Sequence, residues 1–166
     1  MTVTTGIPVT PLMTRLAALA ECLCEQIESD GTPTPCLCSV IPGAALPLDV
    51  GTCDDGNGIA YVRLVTTYPS VEVGVSDITP GNCDKGLGFD IELGLFRCFP
   101  MDPEPSPADV LLEAATLQLA DLDTMRKALG CCDWLPRSDF VIGQYQPFGP
   151  DGGVVGGFLP LSGWMP

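Results

Sequence analysis

Seventeen prolines and nineteen glycines punctuate this chain of 166 residues. Proline removes a backbone donor and glycine weakens helix and strand interiors, so regular structure is confined to the stretches between them. Two of those stretches carry helical periodicity. In the first, Thr10 stands as N-cap, Pro11 takes the first helical position, and Leu12, Leu16, Leu19, Leu23 and Ile27 recur at three- and four-residue spacing before Asp30-Gly31. In the second, Ser106 is the cap, Pro107 follows and Asp109 stands three residues after the cap. Leu111, Ala115, Leu122, Met125 and Leu129 then lead to Gly130. The patterns predict amphipathic helices over Pro11–Glu28 and Ser106–Gly130.

The remaining stretches read as strands. Cys36–Ile41 is a short one closed by Pro42-Gly43. The turn Cys53–Gly58 opens Ile59–Thr66, with Pro69 as its stop. Ser70–Gly88 is rich in glycine and proline and is expected to be an excursion, about 70–88, with at most a short strand at Val71–Val75 and with contacts to neighbours. Leu87–Phe99 has the strongest alternation: Phe89, Ile91, Leu93 and Leu95 lie on one face, Asp90 and Glu92 on the other. The tail predicts a β-hairpin, Phe140–Gln146 and Val154–Leu161 flanking the turn Pro147–Gly153. Without strict alternation of strand and helix, the order predicts one α+β domain over 1–166. Its sheet is mainly antiparallel, with two principal helices packed on one face and a C-terminal β-hairpin.

Apolar residues make up 46% of the chain and charged ones only 17%, which excludes intrinsic disorder and implies that some apolar surface meets a partner. The net charge of −14 leaves no basic patch to neutralise phosphates, so sequence-specific nucleic-acid binding is excluded; an acidic channel would instead let DNA slide without sticking. No apolar run has the length of a membrane span, and Met1–Thr10 lacks a secretory pattern, so the expectation is a cytosolic chain without membrane contact. In that compartment the nine cysteines, an odd number, read mainly as reduced thiols.

Histidine is absent, which removes the histidine-dependent triads, most catalytic zinc sites and the commonest general base near neutral pH. There is no phosphate-binding glycine loop, and the glycines after Pro150 precede a strand, as hairpin glycines do. Cys22 and Cys24 on a helix point about 200° apart and cannot share an ion. Cys36 and Cys38 share a strand face, but structural zinc takes ligands spaced by two to four residues, and adjacent Cys131 and Cys132 are poor co-ligands. Buried thiols acting as small hydrophobes are expected ahead of an occasional disulfide, and a disulfide ahead of a metal. The carboxylate pairs have equally plain readings. Asp55–Gly58 lacks the bidentate acid of a calcium loop, with Thr66 in its place, while Asp121 with Asp123 and Asp90 with Glu92 are assigned to solvent sides. The chain is therefore expected to have no catalytic residue, no cofactor and no metal, and not to be an enzyme.

The aromatic residues Tyr61, Tyr68, Tyr145, Phe148, Phe158 and Trp164 are candidate interface anchors, or else they close the core of a small sheet. The order of elements resembles the tail-terminator proteins at the head–tail junction of long-tailed bacteriophages, in the form found in phages of actinobacteria. It rests on the helices Pro11–Glu28 and Ser106–Gly130, the strands near Ile59–Thr66 and Leu87–Phe99, and the closing segment Tyr145–Gly153. The resemblance implies a ring of identical copies, usually a hexamer, that caps the tail tube protein, docks the head-completion or stopper protein and passes DNA without sequence-specific binding. Assembly in the host bacterial cytoplasm and a final place in the virion follow from it, with Ser70–Gly88 reaching the tube or the lumen. The nine cysteines depart from that family. A stopper or minor tail protein is the neighbouring alternative. An extracytoplasmic disulfide-stapled binding module, and a thiol- or metal-dependent enzyme using Cys36 and Cys38, are the alternatives from other classes.

Overall fold

The computed structural model describes residues 10–41, 43, 58–77, 79, 85–99, 108–151 and 153–166. Helix α1 covers Pro11–Asp30. Thr10 caps it as expected: its hydroxyl accepts from the Met13 N–H at 3.2 Å, and Gly31 closes the helix in the left-handed conformation, φ 68°, which glycine adopts at little cost. Leu12, Leu16, Leu19, Leu23 and Ile27 form its buried stripe, joined by Ala20.

The strands are β1 (Leu37–Ile41), β2 (Ile59–Ser70), β3 (Gly86–Cys98), β4 (Phe140–Ile142), β5 (Gln146–Asp151) and β6 (Val154–Met165). They form one sheet in the order β1-β2-β3-β6-β4, with β5 also paired to β6. All pairings are antiparallel except β1 with β2, so the sheet is mixed but mostly antiparallel. Helix α2 covers Ala108–Cys131. The turns read at Cys53–Gly58 (save Gly58 itself) and Pro147–Gly153 (at residue 152), the stop at Pro42 and the cap Ser106-Pro107 lie outside the described residues.

The main core joins the buried stripe of α1, with Met125, Ala128 and Leu129 of α2, to Ala60 and Val62 of β2, Phe89, Ile91, Leu93 and Leu95 of β3, and Leu159 and Leu161 of β6. These sheet residues pair across the strands and share one face, so both helices cover the same side. The opposite face holds a smaller cluster of Ile41, Ile59, Tyr61, Phe96 and Val154.

Three details differ from the sequence reading. Strand β2 runs through Pro69 to Ser70, because β1 pairs only as far as Arg63 and the rest of β2 is an edge where a missing N–H is tolerated. A bulge at Val65 reverses its alternation. The expected strand Phe140–Gln146 is split: β4 and β5 pair separately with β6, which extends to include Trp164.

The reading of the cysteines as mainly reduced thiols is corrected. Cys22 is bonded to Cys132 and Cys24 to Cys38, at Cα separations of 6.3 and 6.1 Å, and Cys36 is also in a disulfide. The opposed directions of Cys22 and Cys24 are the reason for their separate partners: one faces the end of α2, the other β1. Two further contacts tie the helices together, as Thr124 Oγ1 donates to Asp30 at 2.8 Å and Lys127 Nζ donates to Asp30 at 3.1 Å; within α2 Lys127 also pairs with Asp123.

Candidate functional site

The six aromatic candidates fall into three places, and none stands fully exposed. Tyr61 is wholly buried in the smaller cluster, stacked on Phe96 with ring centroids 6.0 Å apart. Phe148 meets Phe96 edge-on at 5.6 Å, and Phe158 packs beside them. Tyr145 is half-buried against the main core, and burial, with Asp121 nearby, pushes its hydroxyl up to about 12. At the other end of the sheet Tyr68 donates to Asp90 at 3.4 Å, and Trp164 Nε1 donates to the Ser70 carbonyl at 3.2 Å. Several of these rings lie over glycines of the neighbouring strand: Tyr61 over Gly94, Tyr68 over Gly88, Tyr145 over Gly157. A Cβ at those positions would fall inside the ring, which is why glycine interrupts otherwise apolar strands there.

Surface that is both apolar and exposed comes from other residues. On α2 none of the residues 108–120 is buried; apolar burial begins only beyond Asp121. Leu112 and Leu119 are 69% and 64% exposed, and Leu111, placed in the core stripe by the sequence reading, is 42% exposed. Seven-residue spacing puts Leu112 and Leu119 on one side of the helix. The signal was present in the sequence as an α2 apolar on more than one face, which a helix covered on one side does not need.

On the face away from the helices a shallow groove of about 390 Å³ crosses the sheet between Val65 and Val141, with Asp90, Glu92, Pro160 and Ser162 along it. Glu92 is ion-paired with Arg63, and Asp90 accepts from Ser162 Oγ at 2.7 Å. Asp90 and Glu92 thus lie on the predicted face but half-buried and engaged.

The assignment of Asp121 to solvent is corrected. It is 1% exposed and paired with Arg97, whose Nη1 also donates to the Pro33 carbonyl at 2.6 Å. Burial pushes the Asp121 carboxyl up and Arg97 opposes it. Asp123, by contrast, is exposed. Cys36 and Cys38 are both in disulfides, so neither offers a thiolate to a metal or substrate. Among the described residues no group of histidine, cysteine and carboxylate side chains is placed to hold a metal ion, and no helix is long and apolar enough to cross a membrane. The chain matches no model of a known protein family and none of the curated proteins with which it was compared.

Proposed function

We propose that this chain is a structural subunit of the neck of a long-tailed bacteriophage, a tail terminator that assembles as a ring, usually a hexamer, on the head-proximal end of the tail tube. There it ends tube growth, docks the head-completion or stopper protein and leaves an acidic channel for DNA. In this reading the protein does no chemistry.

The observation that carries the reading is the first half of α2, where Leu111, Leu112 and Leu119 are exposed on the helix surface. Leucines so held are stabilised when another protein covers them. The net charge of −14 suits a surface that DNA must pass without adhering. A mainly helical adaptor is disfavoured by the six-stranded sheet; a stopper or minor tail protein remains the neighbouring reading. In a reducing cytoplasm the cysteine pairs are open during assembly and close outside the cell.

The disulfides favour one reading from another class, an extracytoplasmic binding module stapled by bridges. Light scattering at several concentrations, with and without reductant, separates the two. A closed ring, or a monomer that forms one on purified tail tubes, supports the terminator. A concentration-independent monomer that ignores tubes and carries almost no alkylatable thiol overturns it in favour of the module.

A further inference from the structure

We infer that Cys22, Cys131 and Cys132 form a thiol–disulfide exchange centre, in which the staple between α1 and the end of α2 passes between two adjacent cysteines. Cys131 is the last residue of α2, a free and exposed thiol, and the next residue, Cys132, holds the disulfide to Cys22. That disulfide is reachable from solvent, since both its cysteines line a surface cavity of about 200 Å³ together with Glu21, Glu25, Asp133 and Trp134.

The distances are short enough for the exchange. Cys22 and Cys132 are 6.3 Å apart at Cα. Consecutive Cα atoms are 3.8 Å apart, so Cys131 lies within about 10 Å of Cys22, and a shift of about 3 Å brings it into disulfide range. The bonds that must give way for such a shift are those of the last turn of α2, with Cys132 N–H to the Ala128 carbonyl at 3.3 Å and Arg137 Nη2 to the Gly130 carbonyl at 2.6 Å. Gly130 sits in this last turn, where glycine weakens a helix and fraying is cheap.

In the step itself the Cys131 thiolate attacks Sγ of Cys22. The Cys131–Cys22 bond forms as the Cys22–Cys132 bond breaks, and the electron pair leaves on Cys132 Sγ, which takes up a proton equivalent to the one Cys131 lost to solvent. The number of disulfides is unchanged, so no oxidant or reductant is consumed. Both isomers keep α1 stapled to α2; they differ in whether the remaining thiol sits on the helix end or on the segment leading to buried Trp134.

The test is disulfide mapping of the full oxidised chain carrying Cys132→Ser, quenched in acid, alkylated, digested and read by mass spectrometry. The expected result is Cys22 bonded to Cys131 in most molecules, while Cys131→Ser keeps Cys22 bonded to Cys132. Cys22 alkylated, or bonded elsewhere, in the Cys132→Ser variant overturns the proposal. If that variant does not fold, the natural chain held in mildly alkaline buffer decides. Label found on both Cys131 and Cys132 upholds the exchange; label on Cys131 alone overturns it.

Discussion

Arg97 and Asp121 meet in a buried two-pronged ion pair, Nε to Oδ2 at 2.8 Å and Nη2 to Oδ1 at 2.7 Å, which locks the end of β3 to the middle of α2. Removing one partner leaves the other charge buried without compensation. Arg97→Ala is expected to lower stability by about 3–5 kcal/mol, whereas the double variant Arg97→Met with Asp121→Leu stays near the natural chain. Urea unfolding of the three proteins checks this; equal losses in the single and double variants would show that packing, not charge, governs the site.

Leu112 and Leu119 touch no core and are exposed. Leu112→Glu or Leu119→Glu is expected to weaken assembly by more than about 1 kcal/mol and leave the melting temperature of the monomer unchanged. Phe158→Ala, within the smaller cluster, is expected to do the reverse and destabilise the monomer by about 3 kcal/mol. Light scattering and thermal melts on the same samples distinguish the two effects.

Gly94 lies beneath the ring of Tyr61. Gly94→Ala is expected to cost about 1–3 kcal/mol because the buried ring has nowhere to move. Adding Tyr61→Leu should recover part of that loss, a coupling that a double-mutant cycle measures.

The two mapped disulfides close chains of very different length, 110 residues between Cys22 and Cys132 against 14 between Cys24 and Cys38. In the chain-entropy account the longer closure restricts the unfolded state more, by about 1–2 kcal/mol. Cys22→Ser is therefore expected to lower the urea midpoint further than Cys24→Ser under oxidising conditions, and the difference to vanish with reductant.

Asp77 accepts from the Thr79 N–H at 3.0 Å and from Lys85 Nζ at 3.0 Å, contacts that hold its carboxyl at about 2, below its ordinary value of 3.8. A carboxyl lowered in the folded state stabilises it above the ordinary value, and the contribution is lost as pH falls through about 2. Asp77→Asn is expected to remove that fall between about pH 4 and pH 2. Carboxyl NMR titration of the natural chain, with acid unfolding of the variant, tests it.

The local parts of this protein were determined by its sequence. The buried stripe of α1, the Thr10 and Gly31 caps and the apolar face of β3 depend on spacings of a few residues, which helix and strand geometry convert directly into faces. The α+β class followed from the order of those elements. Tertiary structure decided whatever depends on residues far apart. Asp121 is buried because Arg97, 24 residues away, arrives beside it. Strand β2 continues through Pro69 because β1 stops short of it. The same applies to Leu111, Leu112 and Leu119 in the first half of α2, which the fold leaves exposed. Cys22 and Cys24 have different partners because α1 packs against both the end of α2 and β1, and no spacing along the chain announces which cysteines the fold will bring within bonding distance.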